Sequence, residues 1–162
     1  MKRKEDAATT AEWKRGKRKT LTRKRAKPRA KGTACVGGKR CIAAYTWVDP
    51  YSDREYRYCA KHYADRLMAH AVKNEERCCR YCGSQVDLEW AHVLSRRYMA
   101  VRWDRANSMA LCRTHHYMFT VNPLRWEQWC RDVEIPWDEL RHKALYGPPM
   151  QPMFVIERLK AA

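Results

Sequence analysis

The chain has 162 residues, with 34 Lys and Arg against 18 Asp and Glu, and a net charge of +16. No apolar run approaches the roughly 18 residues that span a membrane, and the N-terminal stretch lacks an apolar leader. A membrane-spanning helix is thereby excluded, a cytoplasmic protein is expected, and the charge points to a polyanionic partner, nucleic acid above all.

Residues 1–32 hold 14 Lys and Arg but three acidic residues, with almost no large apolar side chains. Such a segment cannot bury enough surface to offset the entropy of ordering, so 1–32 is read as a disordered basic arm that contacts phosphates. A first module is expected over 33–76. Its cysteines run Cys35-x5-Cys41, then, after 17 intervening residues, Cys59-x2-His62. A second module is expected over 77–122, where Cys79-x2-Cys82 is followed, after 29 residues, by Cys112-x2-His115.

In a reducing compartment, spaced cysteines with nearby histidines are metal ligands before they are disulfides. Each set supplies three thiolates and one imidazole, a closed tetrahedral shell suited to structural Zn2+. The second set is the tighter signal; Cys78 in place of Cys79 is an open alternative register. The last ligand pair of each set opens a helical pattern, with Tyr63, Leu67 and Ala71 after Cys59, and His116, Phe119 and Thr120 after Cys112. Knuckle, hairpin and ligand-bearing helix make a treble clef, used twice. His92, in the short apolar run Leu88-Glu89-Trp90-Ala91-His92-Val93-Leu94, is read as the end of a strand.

Residues 123–162 read as helices that pack on the core. Asn122 is an N-cap with Pro123 at the first helical position. Trp126, Trp129, Cys130 and Val133 form a core-facing stripe, Pro136 interrupts it, and Trp137, Leu140 and Ala144 continue a second stripe that ends before Gly147. A short helix around Met153, Ile156 and Leu159 closes the chain. The tryptophans are expected in the core, because their spacing is helical. His70 and His142 have no sequence partners.

The segments "CRYCG", "WAHVLSRR", "RWDRANSMALC" and "CRTHHYMF", residues 79 to about 123, resemble the HNH endonucleases, the ββα-metal nuclease family. The wording is most similar to small HNH proteins of bacteriophages and prophages. The resemblance implies an α+β fold: a zinc-bound treble-clef or ββα-metal nuclease core, with the second zinc knuckle and C-terminal helices beside it. It implies a DNA endonuclease in which His92 is the general base and His116 ligates a catalytic divalent ion, Mg2+ or Mn2+. Asn107 would hold the loop that bears the base or ligate the metal. Arg96 and Arg97 are phosphate clamps, Arg96 the closer to the reaction, and Arg102 a weaker one.

Many relatives carry an acid or histidine directly before the base; here Ala91 stands there and cannot ligate. Asp104 is the nearest acid to complete the metal site, with Glu89 behind it. Nicking or double-strand cutting would follow from whether the chain acts alone or as a homodimer. Phage-type relatives also suggest a terminase or packaging partner, and the host cytoplasm as location. The competing reading is a non-catalytic zinc-binding nucleic-acid adaptor, which accounts for the charge and cysteines but gives His116 and Asn107 no role. A zinc hydrolase of small substrates needs an open coordination position, which neither four-ligand set leaves.

Overall fold

A computed structural model describes residues 34–161; the basic arm expected over 1–32 lies outside the described residues. The fold is α+β. The first module opens with two short antiparallel hairpins, β1 (Ala34–Cys35) with β2 (Gly38–Ile42) and β3 (Tyr45–Val48) with β4 (Glu55–Tyr58). Helix α1 (Ala60–Glu76) follows, rich in Ala, Leu, Met and Lys. Its buried face is Tyr63, Ala64, Met68 and Val72, rotated slightly from the expected stripe, with Leu67 and Ala71 partly buried. The helix stops at Arg77, whose left-handed backbone (φ 55°) lets its N–H reach the Lys73 carbonyl at 3.0 Å.

The second module is a hairpin and a helix. Strand β5 (Leu88–His92) pairs antiparallel with β6 (Ser108–Cys112), and α2 (Arg113–Val121) leaves directly from β6. Alternation sends successive strand side chains to opposite faces, and here both faces are covered. Trp90 and Ala110 meet Trp103, Ala64 and Met68 on the α1 side. Ala91, Met109 and Leu111 meet Phe119, Trp126, Cys130 and Leu140 on the other.

The C-terminal helices start where expected, but α3 stops one residue short of Val133, which is exposed and not part of the buried stripe. In α3 (Pro123–Asp132) the Asn122 carboxamide oxygen accepts from Arg125 N–H at 3.2 Å. Trp126 and Cys130 are buried, and burial pushes the Cys130 thiol up to about 12, a core residue as its spacing suggested. Helix α4 (Trp137–Tyr146) ends at Gly147, and with α3 it covers the hairpin face bearing Ala91. The last helix, α5 (Pro152–Ala161), does something else. Its adjacent Val155 and Ile156 are buried against α1 instead, and Lys160 lies over the Tyr63 ring. The C-terminal segment therefore clasps both modules. No described helix is long and apolar enough to cross a membrane.

Between β5 and β6 runs a loop of successive tight turns, with backbone bonds Tyr98 to Ser95, Val101 to Tyr98 and Asp104 to Val101, ending in a 3-10 turn over Arg105–Asn107. It is tied to α1 by a buried ion pair. The Arg102 guanidinium, 4% exposed, donates to both Asp65 oxygens at 2.9 and 2.6 Å and to the Arg96 carbonyl, while Trp103 Nε1 donates to the same carboxylate. Removing one partner of such a pair strands a buried charge. Asp65→Ala is expected to lose about 3–5 kcal/mol in urea denaturation. Glu75→Ala, which breaks an exposed pair with Arg105, should lose under about 1 kcal/mol.

Candidate functional site: two Cys3His clusters and a histidine cleft

Both expected ligand sets assemble. In each, all four donor atoms lie within 4.8 Å of one another. Cys35, Cys41 and Cys59 sulfurs stand 3.3, 3.5 and 3.3 Å from His62 Nδ1. In the second set, Cys79 and Cys112 sulfurs stand 3.8 and 3.1 Å from His115 Nδ1, and Cys82 and Cys112 sulfurs are 3.9 Å apart. Zn–S and Zn–N bonds at tetrahedral angles place S and N about 3.5 Å apart and two sulfurs about 3.8 Å apart. The clusters are thus spaced for a tetrahedral zinc ion, and two structural zinc ions fit the chain.

The two sites are built alike. Cys59 and Cys112 are the N-caps of α1 and α2, with His62 and His115 three residues on, so each helix presents its positive end to a thiolate. At the first site Gly37 is compulsory, since a Cβ there would stand 2.3 Å from the His62 ring. At the second, Gly83 (φ 75°) turns the knuckle so that its N–H reaches the Cys79 carbonyl at 2.7 Å. Burial works against the Cys79 thiolate, but backbone N–H groups of Cys112, Cys82 and Tyr81 bring it down to about 6. Desolvation, then neighbours Cys35 and Cys59, push Cys41 up to about 12. Thiols this close resist ionising together, and a bound dication removes that resistance. Cys78 stays outside both sets. Tyr81, Phe119, Trp126 and Trp129 stack in a chain of rings that closes over His115.

On the second module lies a cleft of about 640 Å3, bordered by His92, Arg96, His116, Thr120 and Trp126. His92 ends β5, its ring 4.1 Å from that of Trp90, and its Nε2 is buried without a hydrogen-bond partner. Burial, and then the field of Arg102 and Arg96 against that of Asp65, lower His92 to about 4, so the ring is neutral at physiological pH. His116 stands on the first turn of α2, and its Nδ1 is 2.8 Å from a Glu89 oxygen; Arg113 holds the other oxygen at 3.1 Å. The His116 bond, with Arg113 behind it, holds the Glu89 carboxyl below its ordinary value. Arg96 is exposed at the rim.

Four other expected site residues have partners of their own. Asn107 is fully buried, and its carboxamide is committed to backbone: Oδ1 accepts from Leu94 N–H at 2.6 Å, and Nδ2 donates to the Leu94 and Val101 carbonyls. This geometry ties the two sides of the β5–β6 loop together. Asp104 does not border the cleft; it caps the 3-10 turn through Ala106 N–H and pairs with Lys143 at 2.5 Å. Arg102 is buried, its guanidinium held by Asp65 and the Arg96 carbonyl. Arg97 is exposed, but its guanidinium lies over the Tyr98 ring and donates to the hydroxyl at 2.9 Å.

Sequence reasoning missed Asp65, whose importance lies 37 residues from Arg102 and leaves no local signal. Thr120, one turn after His116 with its hydroxyl on the His116 carbonyl, was read only as part of a helical face. Set against protein-family models, curated proteins and solved structures, the chain matches none of them.

Elemental analysis of the purified chain should give about two zinc per chain, falling to one in Cys41→Ser or Cys82→Ser. A chelator that strips both should lower the thermal unfolding midpoint, because each ligand set ties a knuckle to a helix N-terminus. Titrated by NMR, the His92 ring should show a midpoint near 4. Because that value lies below the unfolded one, this residue's contribution to stability is full above about pH 6.5 and lost as pH falls toward 4.

Proposed function

We propose that the chain is a divalent-metal-dependent DNA endonuclease of the HNH, ββα-metal type, with β5, β6 and α2 as its catalytic unit and the second Cys3His cluster as its structural zinc. One observation carries the reading: His92, held neutral, and His116, paired with a carboxylate, border one cleft with Arg96 at its rim.

A neutral imidazole can take a proton from water as the water attacks phosphorus. Arg96 would bind the scissile phosphate, and Asn107, by clamping the loop at Leu94 and Val101, would keep the base in place. The donor set fits a divalent ion. Glu89 stands two residues before Ala91, hence on the same face of β5, so its carboxylate occupies the side from which Ala91 offers nothing. Glu89 and His116 would hold Mg2+ or Mn2+, with water and phosphate oxygens completing the shell. When bound, such an ion stabilises charge on the phosphate and the leaving oxygen.

Ala91 itself, 1% exposed and without a donor atom, favours the second reading, a zinc-bound nucleic-acid adaptor with no catalysis. Supercoiled plasmid with Mg2+ or Mn2+ separates the two. The wild type is expected to nick or linearise it, His92→Ala to be slower by about 10²–10⁴-fold, and His116→Ala and Glu89→Gln to demand more metal. An inert wild type that still binds DNA would establish the adaptor. Equal cutting by wild type and His92→Ala would remove His92 as the base.

A further inference from the structure

Apart from the histidine cleft, a second concave surface runs along α1, with Gln85 and Leu88 of the second module at one end. Two adjoining hollows, of about 580 and 220 Å3, share Tyr51 and Lys73. Along one wall runs α1, whose residues Arg66, His70 and Lys73, followed by Arg77 at its cap, border the hollows at spacings of four, three and four. Helical periodicity puts these four on one face, about 16 Å from end to end. The facing wall is the β3–β4 hairpin. Its Trp47 packs edge-on to His70 at 5.6 Å, and Tyr51 at the turn is 83% exposed.

Cations outnumber acids in this groove: among the described residues Asp49 is the single acid bordering it, against Arg66, Lys73 and Arg77. Asp49 accepts from the Tyr51 N–H and the Ser52 hydroxyl and lies in the field of Arg66, whose Nε donates to the Tyr58 hydroxyl. The acids at the end of α1, Glu75 and Glu76, turn away to Arg105. A row of cations beside an exposed aromatic ring is the arrangement that binds an unpaired strand: phosphates follow the cations, and a base with a free face stacks on the ring. A duplex keeps its bases stacked inside and has no use for Tyr51.

We propose that this groove is a binding site for single-stranded nucleic acid, with the backbone along Arg66, Lys73 and Arg77 and a base on Tyr51. It is separate from the histidine cleft, and it stands whether or not that cleft cuts DNA.

The test is fluorescence anisotropy with the full chain, without added divalent ion, using a labelled oligothymidylate and a duplex of equal length. Tyr51 lies on an exposed turn, so Tyr51→Ala should fold normally. It is expected to weaken oligothymidylate binding by about tenfold and leave duplex binding unchanged. In the double variant Lys73→Ala, Arg77→Ala, the slope of log affinity against log salt for the single strand should shrink by about 1.4, two phosphate contacts' worth. Unchanged oligothymidylate affinity in Tyr51→Ala would overturn the site. An equal loss for duplex and single strand would also overturn it, making the groove a duplex backbone contact. The plasmid assay with His92→Ala reads the cleft alone, so failure of one proposal is not failure of the other.

Discussion

The hairpin of Leu88–His92 and Ser108–Cys112 is covered on both faces, and this double burial organises the molecule. A two-stranded hairpin alone is marginal in water. Here alternate side chains are held by α1 on one side and by α2, α3 and α4 on the other, so neither face can slip register without exposing apolar surface. Its two ends then become fixed points. One end carries Cys112 into the zinc cluster, and the other carries His92 to the cleft. The intervening loop, which could have been mobile at its length, is pinned by Asn107 from within and by the Arg102–Asp65 pair to α1.

The two Cys3His modules repeat one plan with different outcomes. Each places a cysteine at a helix N-cap and a histidine three residues later. In the first, the residue after the ligand histidine is Tyr63, buried and stacked on Tyr45 at 5.0 Å. In the second it is His116, half-buried and bonded to Glu89. The hairpins differ in the same sense. The β3–β4 turn closes tightly over Asp49–Arg54, whereas the β5–β6 connection is long enough to build one wall of a cleft. A closed Cys3His set ties strand to helix in both, and the second module leaves a cleft beside it bordered by two histidines.

Much of this was readable in advance. The eight ligands were readable because coordination needs particular atom types at short spacings, and Cys-x2-Cys or Cys-x2-His survives in one dimension. The boundaries of α3 and α4 were readable because Asn122, Pro123, Pro136 and Gly147 act locally on the backbone. The site was read in part: His92, His116 and Arg96 do border one cleft. Asp104 and Arg102 do not, because a charge's partner is chosen in space, and Lys143 and Asp65 lie 39 and 37 residues away from them.

Read alone, the chain shows which atoms could bind zinc, where helices start and stop, and which histidine of the 115–116 pair is left over once the two sets are filled. These are matters of local geometry and chemical identity. The three-dimensional fold was needed to show that Glu89 faces His116, that Asn107 holds the backbone at Leu94 and Val101, that α5 returns to α1, and that the cations of α1 face an aromatic hairpin. Each of these depends on two segments meeting across the core. What brings them together is the burial of apolar surface on both sides of one hairpin, a cooperative property that no short stretch of the chain contains.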